Sequence, residues 1–196
     1  ATSQEPVRLA LRKLWSDHVI WTREYIVAAV AGTPDADAVA GRLLKNQEDI
    51  GAAIEGYYGQ AAGDKLTELL KQHIMIAVDL VAAAKSGDQA AFATHDARWT
   101  TNIEAIAAFL AGANPNWLEK DVLDLLALHL KLTKDEAVAR ITGACAAHVQ
   151  AFRDISHAIL AQPGTLLDRA SAPLRAPIRA LTARHHRPPR HRPRRP

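Results

Sequence analysis

The sequence predicts an all-α protein, an up-down antiparallel bundle of about six helices. Three observations carry that reading. Alanine, leucine and isoleucine dominate while aromatics are only 5%, a composition that favours helix over sheet. Apolar residues recur at alternating three- and four-residue steps through most of the first 162 positions, the period of a helix face. Glycines and prolines fall between these stretches, and short connections between long amphipathic helices make antiparallel neighbours.

The first helix is expected from about Pro6 to Ala31, with a seam through Leu11, Leu14, His18, Trp21 and Tyr25. Gly32-Thr33-Pro34 ends it, and Pro34 suits the opening turn of its successor. The second carries Val39, Leu43, Asn46, Ile50, Ala53 and Tyr57, with Gly56 and Gly59 marking its end. The third carries Leu66, Leu70, His73, Ala77 and Leu80 and stops at Ser86-Gly87, where Asp88 is the next N-cap. The fourth carries Phe92, His95, Trp99, Asn102, Ile106 and Phe109.

Asn114-Pro115-Asn116-Trp117 is a break, with Asn116 and Glu119 spaced as a capping box. A short fifth helix then carries Val122, Leu125, His129 and Leu132. Thr133 and Glu136 form a second capping-box pattern, which predicts a long sixth helix through Val138, Ile141, Cys145, His148, Phe152 and Ile155. Four long core helices, a short fifth and a long sixth result.

The charge divides the chain into a bundle domain, residues 1–162, and a tail, residues 163–196. The tail holds nine arginines, no lysine and one aspartate, a balance of +8. The remaining 15 basic and 20 acidic residues leave the bundle at −5. In "RHHRPPRHRPRRP" prolines block helix and sheet hydrogen bonds and the arginines repel one another. Two readings stand: binding to nucleic acid or an anionic surface through the tail, or a non-native C-terminus from an alternative reading frame. The tail lacks the interleaved aromatics that stack on single-stranded bases.

No apolar run reaches a membrane-spanning length; the longest, near His73, is broken by Asp79. A single Cys145 excludes an intrachain disulfide. The opening Ala1-Thr2-Ser3, without methionine, fits a processed mature protein or a trimmed chain, which leaves export and the cytoplasm both open.

The chemistry of the chain sits in its seam histidines. A helix rises about 1.5 Å per residue, so height can be counted from a shared end. His18 and His73 precede their turns at Thr33 and Gly87 by 15 and 14 residues; Asn46 and Asn102 follow the same turns by 13 and 15. All four therefore lie roughly 20–22 Å from one end. His129, 12 residues past Trp117, stands about 18 Å from the opposite end, where the same layer falls. His148 counts nearer the far end and His95 nearer the Gly87 turn.

Two functions compete for this layer. Neutral imidazoles ligate zinc, copper, nickel or iron, so His18, His73 and His129 are candidate metal ligands, with Asn46 and Asn102 orienting them. Alternatively, the layer is a satisfied polar belt that only sets helix register within a structural or interaction module. A di-iron carboxylate centre is not supported, because no Glu-x-x-His pair occurs on two core helices. Asp154-x-x-His157 lies off the seam, and Asp17, Glu24, Glu48, Asp49 and Glu104 are each one step away from theirs. Trp21, Tyr25, Tyr57 and Trp99 flank the layer as core packing, or as walls of a small apolar cavity.

"RLLKNQEDIG", "YYGQAAGDKLTELLKQHI" and "NPNWLEKDVLDLLALHLKLT" resemble stretches of a family of uncharacterised bacterial helical-bundle proteins. Some members carry an automatic glycosyltransferase label, and many are exported with a cleaved signal peptide. The resemblance spans about Leu9 to Gln162. It implies an all-α fold and an extracytoplasmic location, and it supplies no catalytic residues. The transferase label finds no support in the residues: the only Asp-x-Asp is Asp35-Ala36-Asp37 at a helix start, and no strand–helix alternation exists for a nucleotide-sugar fold. P-loop, dinucleotide, nucleophile-elbow and zinc-protease motifs are all missing; the expected function is binding, with enzyme status left open and leaning negative.

Overall fold

A computed structural model describes residues 5–160, and those residues form six α-helices with no strand among them. They are α1 (Glu5–Ala31), α2 (Ala36–Tyr58), α3 (Gln60–Ser86), α4 (Gln89–Ala113), α5 (Glu119–Ile141) and α6 (Cys145–Leu160). None is long and apolar enough to cross a membrane. The tail from residue 163 lies outside the described residues.

The helices form two shells. α1, α3 and α5 touch one another pairwise. α2 packs against both α1 and α3, α4 against both α3 and α5, and α6 against both α5 and α1. Three inner helices are thus covered by three outer ones, each laid over one groove.

Left-handed glycines make the corners. Gly32, Gly87 and Gly143 take φ of 70°, 75° and 74°, a conformation that glycine alone adopts without a steric penalty. Asp88 caps α4, its carboxylate accepting from the Ala91 N–H at 2.9 Å. α2 and α3 are separated by the single residue Gly59 and approach backbone to backbone. A Cβ on Gly51 would stand 2.7 Å from the Gly63 carbonyl oxygen, and one on Gly63 would stand 2.8 Å from that of Gly51.

Two expected boundaries are corrected. The fifth helix is long, 23 residues, and the sixth begins only at Cys145, with 16 residues of it described. Thr133 and Glu136 cap nothing: the Thr133 hydroxyl donates to the His129 carbonyl within α5, and Glu136 is buried. The true break is Thr142-Gly143-Ala144, where the left-handed glycine stops α5. Val138, expected on the seam, is exposed. Nor does Asn116 cap α5. Leu118 holds that position, while Asn114 folds the break by accepting the Asn116 N–H on Oδ1 and donating from Nδ2 to the Tyr58 hydroxyl. An Asx turn serves here in place of a capping box.

Placing the inner helices together reveals a recurring pattern. Leu11–Thr22 reads LRKLWSDHVIWT, Leu66–Ala77 reads LTELLKQHIMIA, and Val122–Thr133 reads VLDLLALHLKLT. Aligned without gaps, these segments share a leucine at the fourth position and the histidine at the eighth. The outer helices α2 and α4 share a second pattern, Arg42-Leu43-x-x-Asn46-x-Glu48-x-Ile50 against Arg98-Trp99-x-x-Asn102-x-Glu104-x-Ile106. The bundle is built as three helical hairpins, each contributing one inner histidine. Such recurrence is what stacked repeats of a single supersecondary unit produce.

Candidate functional site

The three inner helices bring His18, His73 and His129 into one layer, as counting predicts. All three are buried. The His129 ring packs against both of the others, its centroid 5.7 Å from that of His18 and 5.9 Å from that of His73. Indoles close the layer outside: Trp15 meets His18 edge-on at 5.4 Å, and Trp99 lies 5.0 Å from His73.

Each ring has a different hydrogen-bonding state. His73 Nδ1 lies 2.8 Å from Asn102 Oδ1, and Asn102 Nδ2 donates to the Leu69 carbonyl at 3.1 Å. Asn102 is held as an acceptor, so His73 Nδ1 donates and its Nε2 keeps a lone pair. On His18 the polarity is reversed. The two hydrogens of Gln47 Nε2 are shared among the Leu43 carbonyl at 2.8 Å, Asn46 Oδ1 at 3.1 Å and His18 Nδ1 at 3.2 Å. His18 Nδ1 therefore accepts, and its proton sits on Nε2. His129 Nδ1 is buried with no partner. The Nε2 atoms of His18 and His73 make no hydrogen bond to any described residue.

The orienting role expected of Asn46 thus belongs to its neighbour. Asn46 makes no hydrogen bond to His18; its Nδ2 donates to the Leu14 carbonyl at 3.0 Å and its Oδ1 accepts from Gln47 Nε2 at 3.1 Å. Gln47 went unnoticed in the sequence because it lies one position off the counted seam, although its exposure is 0%.

Burial keeps the three imidazoles neutral. His18 is lowered to about 3 and His73 to about 4, mainly by desolvation, with His73 further opposing a charge on His18. His129 is pushed well below the ordinary histidine value by burial and then by its two neighbours. The rings line a cavity of ≈ 20 Å³ together with Thr22, Thr133 and Trp99. That space, walled for the rest mainly by apolar side chains such as Ile26, Leu43, Ile74 and Val81, has room for one water or one ion and is too small for an organic molecule.

Among the described residues, no carboxylate joins the layer. Asp17 pairs with Lys13, and Glu48 and Asp49 face Lys45, Lys71 and Arg42. Glu24 and Glu104 are exposed. Asp154 and His157 are exposed too, as their position off the seam implies. Among the described residues, no group of three or more histidine, cysteine, aspartate or glutamate side chains is arranged to hold a metal ion. Tyr57, expected to flank the layer, is 43% exposed; Trp15 takes that place. A separate apolar cavity of ≈ 40 Å³ opens farther along the bundle between Trp15, Tyr58, Leu66 and Trp117.

A second polar cluster bridges α1, α5 and α6. Glu136 Oε1 lies 3.4 Å from His148 Nε2 and 3.9 Å from Arg23 Nε, and Arg23 stacks over Phe152 at 4.8 Å. Desolvation raises the Glu136 carboxyl to about 7, against the pull of Arg23. The capping-box pattern concealed this cluster; the helical spacing of Glu136 from His129, seven residues on one face, was the available clue.

Compared with known proteins, the chain matches no protein-family model, no curated protein and no solved structure.

Proposed function

We propose that the bundle is a binding protein whose histidine layer takes up one transition-metal ion. The observation that carries this reading is the convergence of three neutral imidazoles on a one-ion cavity, with several ring nitrogens lacking protein partners. Two imidazoles bound to one zinc at roughly 2.0–2.1 Å per Zn–N bond have ring centres on the order of 5–6 Å apart, the range of the two measured separations.

The ligands differ in readiness. His73 is oriented as a ligand: Asn102 takes its Nδ1 proton and leaves Nε2 to donate a lone pair, the arrangement that fixes metal-binding histidines. His129 is uncommitted at Nδ1. His18 becomes a third ligand only when its proton moves to Nδ1 and the Gln47 amide turns over to accept it. Gln47 Oε1 has no partner in its present orientation. Zinc, copper, nickel and iron all suit imidazole donors.

A second reading rests on the anchoring of both amides. Asn46 and Asn102 each donate to the carbonyl one turn before a histidine, Leu14 and Leu69. Such cross-helix bonds fix register without any guest. Elemental analysis of the untagged bundle ending at Gln162, beside His73→Ala, separates the readings. The metal reading requires near-stoichiometric metal in the first protein and its loss in the second. No metal, with melting indifferent to chelator and to added zinc or copper, leaves only the register layer.

A further inference from the structure

We infer that His129 is the member of the layer that takes up the guest, and that Ala158 is the position that keeps it available. This rests on the metal-binding reading and says which of the three hairpins is open.

Two hairpins share one construction. In the first, Gln47 of the outer helix meets His18 of the inner one, 29 residues apart. In the second, Asn102 meets His73, also 29 residues apart. In both, an asparagine of the outer helix donates to the carbonyl four residues before the histidine, that of Leu14 or Leu69.

The third hairpin keeps the histidine and loses the amide. His129 plus 29 residues reaches Ala158 in α6. Ala158 is also 13 residues into α6, as Asn102 is into α4. The buried sequence agrees: Trp99 then Asn102 in α4 corresponds to Ile155 then Ala158 in α6, all four buried. At the height of His129, therefore, the outer helix presents buried apolar side chains. The polar groups of α6 turn elsewhere. Ser156 bonds the Phe152 carbonyl, Asp154 accepts from Gln150, and His148 faces Glu136.

The consequence is visible at the ring itself. His18 and His73 each have a partnered Nδ1, while His129 Nδ1 is buried and unpartnered. A buried polar atom without a partner is costly and uncommon. Here the ring that carries it lies 5.7 and 5.9 Å from two other imidazoles and lines, with them, a cavity large enough for a single ion. Two histidines are held in fixed orientation, and the third is left to respond to the guest. Its ring lacks the amide that would lock its tautomer, so its Nδ1 is available to a metal.

Position 158 tests this directly. Zn(II) is titrated into the bundle ending at Gln162, and into its Ala158→Asn and Ala158→Leu variants, which add side chains of similar size and opposite polarity. Melting is also followed without metal. The expected result is Zn(II) affinity at least tenfold weaker in Ala158→Asn than in Ala158→Leu, with Ala158→Asn the higher-melting of the two when metal-free. Equal affinity in the two variants, or a metal-free melting order reversed, overturns the role of the missing amide even where the parent binds zinc. A parent that binds neither Zn(II) nor Cu(II) overturns the metal reading itself. The metal-free melting order then still shows whether His129 lacks a partner that asparagine supplies.

Discussion

Asn102 grips His73 at two points on α3: its Oδ1 takes the imidazole Nδ1–H at 2.8 Å, and its Nδ2 reaches the Leu69 carbonyl one turn earlier. On the neighbouring hairpin the same task is divided, Asn46 reaching the Leu14 carbonyl and Gln47 the His18 ring. Truncating the two asparagines should therefore have unequal effects. Asn102→Ala strands a buried imidazole N–H, a loss of about 1–3 kcal/mol. Asn46→Ala removes a donor from the Leu14 carbonyl, which retains its helical bond, and one acceptor from Gln47 Nε2, which retains the Leu43 carbonyl and His18 Nδ1, and should cost less. Urea unfolding of both variants checks the order; equal losses would show that the His73 bond contributes nothing beyond the main-chain anchor.

The imidazoles also predict how the bundle meets acid. A histidine whose folded pKa is depressed contributes stability that is lost as pH falls below its unfolded value, because only the unfolded chain takes the proton. His73, lowered from 6.5 to about 4, accounts for roughly 3 kcal/mol by pH 4. His18 and His129 act in the same direction. Melting temperature should fall steeply between pH 6 and 4, and His129→Leu should flatten that limb. An unchanged slope in His129→Leu would mean that this ring is protonated as readily in the folded bundle as in the unfolded chain.

Much of this site could be read from spacing. Height along an antiparallel bundle is fixed by helical rise, so His18, His73 and His129 were brought to one level by counting residues from the turns. Azimuth is less exact. Gln47 and Asn46 are adjacent, and a seam drawn at three- and four-residue steps selects one of them, whereas both are fully buried. The Thr133–Glu136 error has a different origin. Threonine followed three residues later by glutamate is a cap only where the chain enters a helix; inside one, the hydroxyl returns to the preceding turn, as Thr133 does to His129. The recurrence of the hairpin was present in the sequence at a spacing of about 55 residues, but its conserved positions are too sparse to stand out until the helices are laid side by side.

The α2–α3 contact supplies a test of the fold independent of the histidines. A methyl at position 51 would run into the Thr67 side chain and lie 2.7 Å from the Gly63 carbonyl. The threonine can rotate, but the carbonyl belongs to the helix backbone. Gly51→Ala should thus lose about 1–3 kcal/mol by overpacking, although alanine is the better helix former. Gly41, with nothing within 4 Å of a built Cβ, is the control: Gly41→Ala should stabilise by up to about 1 kcal/mol. If both substitutions stabilise, the close approach of α2 and α3 is wrong.

Glu136 should give α6 docking the opposite pH dependence. Its folded pKa of about 7 lies above the ordinary 4.5, so the folded chain holds the proton more tightly. The relative stability it contributes is complete below pH 4.5 and is lost as pH rises through 7. The groups facing it are His148 on α6, itself lowered by burial, and Arg23 on α1. Glu136→Gln imitates the protonated carboxyl at every pH. The variant should match the parent near pH 5 and exceed it near pH 8, by up to roughly 3 kcal/mol for a shift of this size. Thermal melting at the two pH values reads the difference. Because Arg23 sits 3.9 Å from the carboxylate and favours its charged form, the gain should grow in Arg23→Gln, where that compensation is removed. A gap independent of pH would place the Glu136 proton outside the folding equilibrium, and a smaller gain in the Arg23→Gln background would show that the guanidinium does not offset the buried charge.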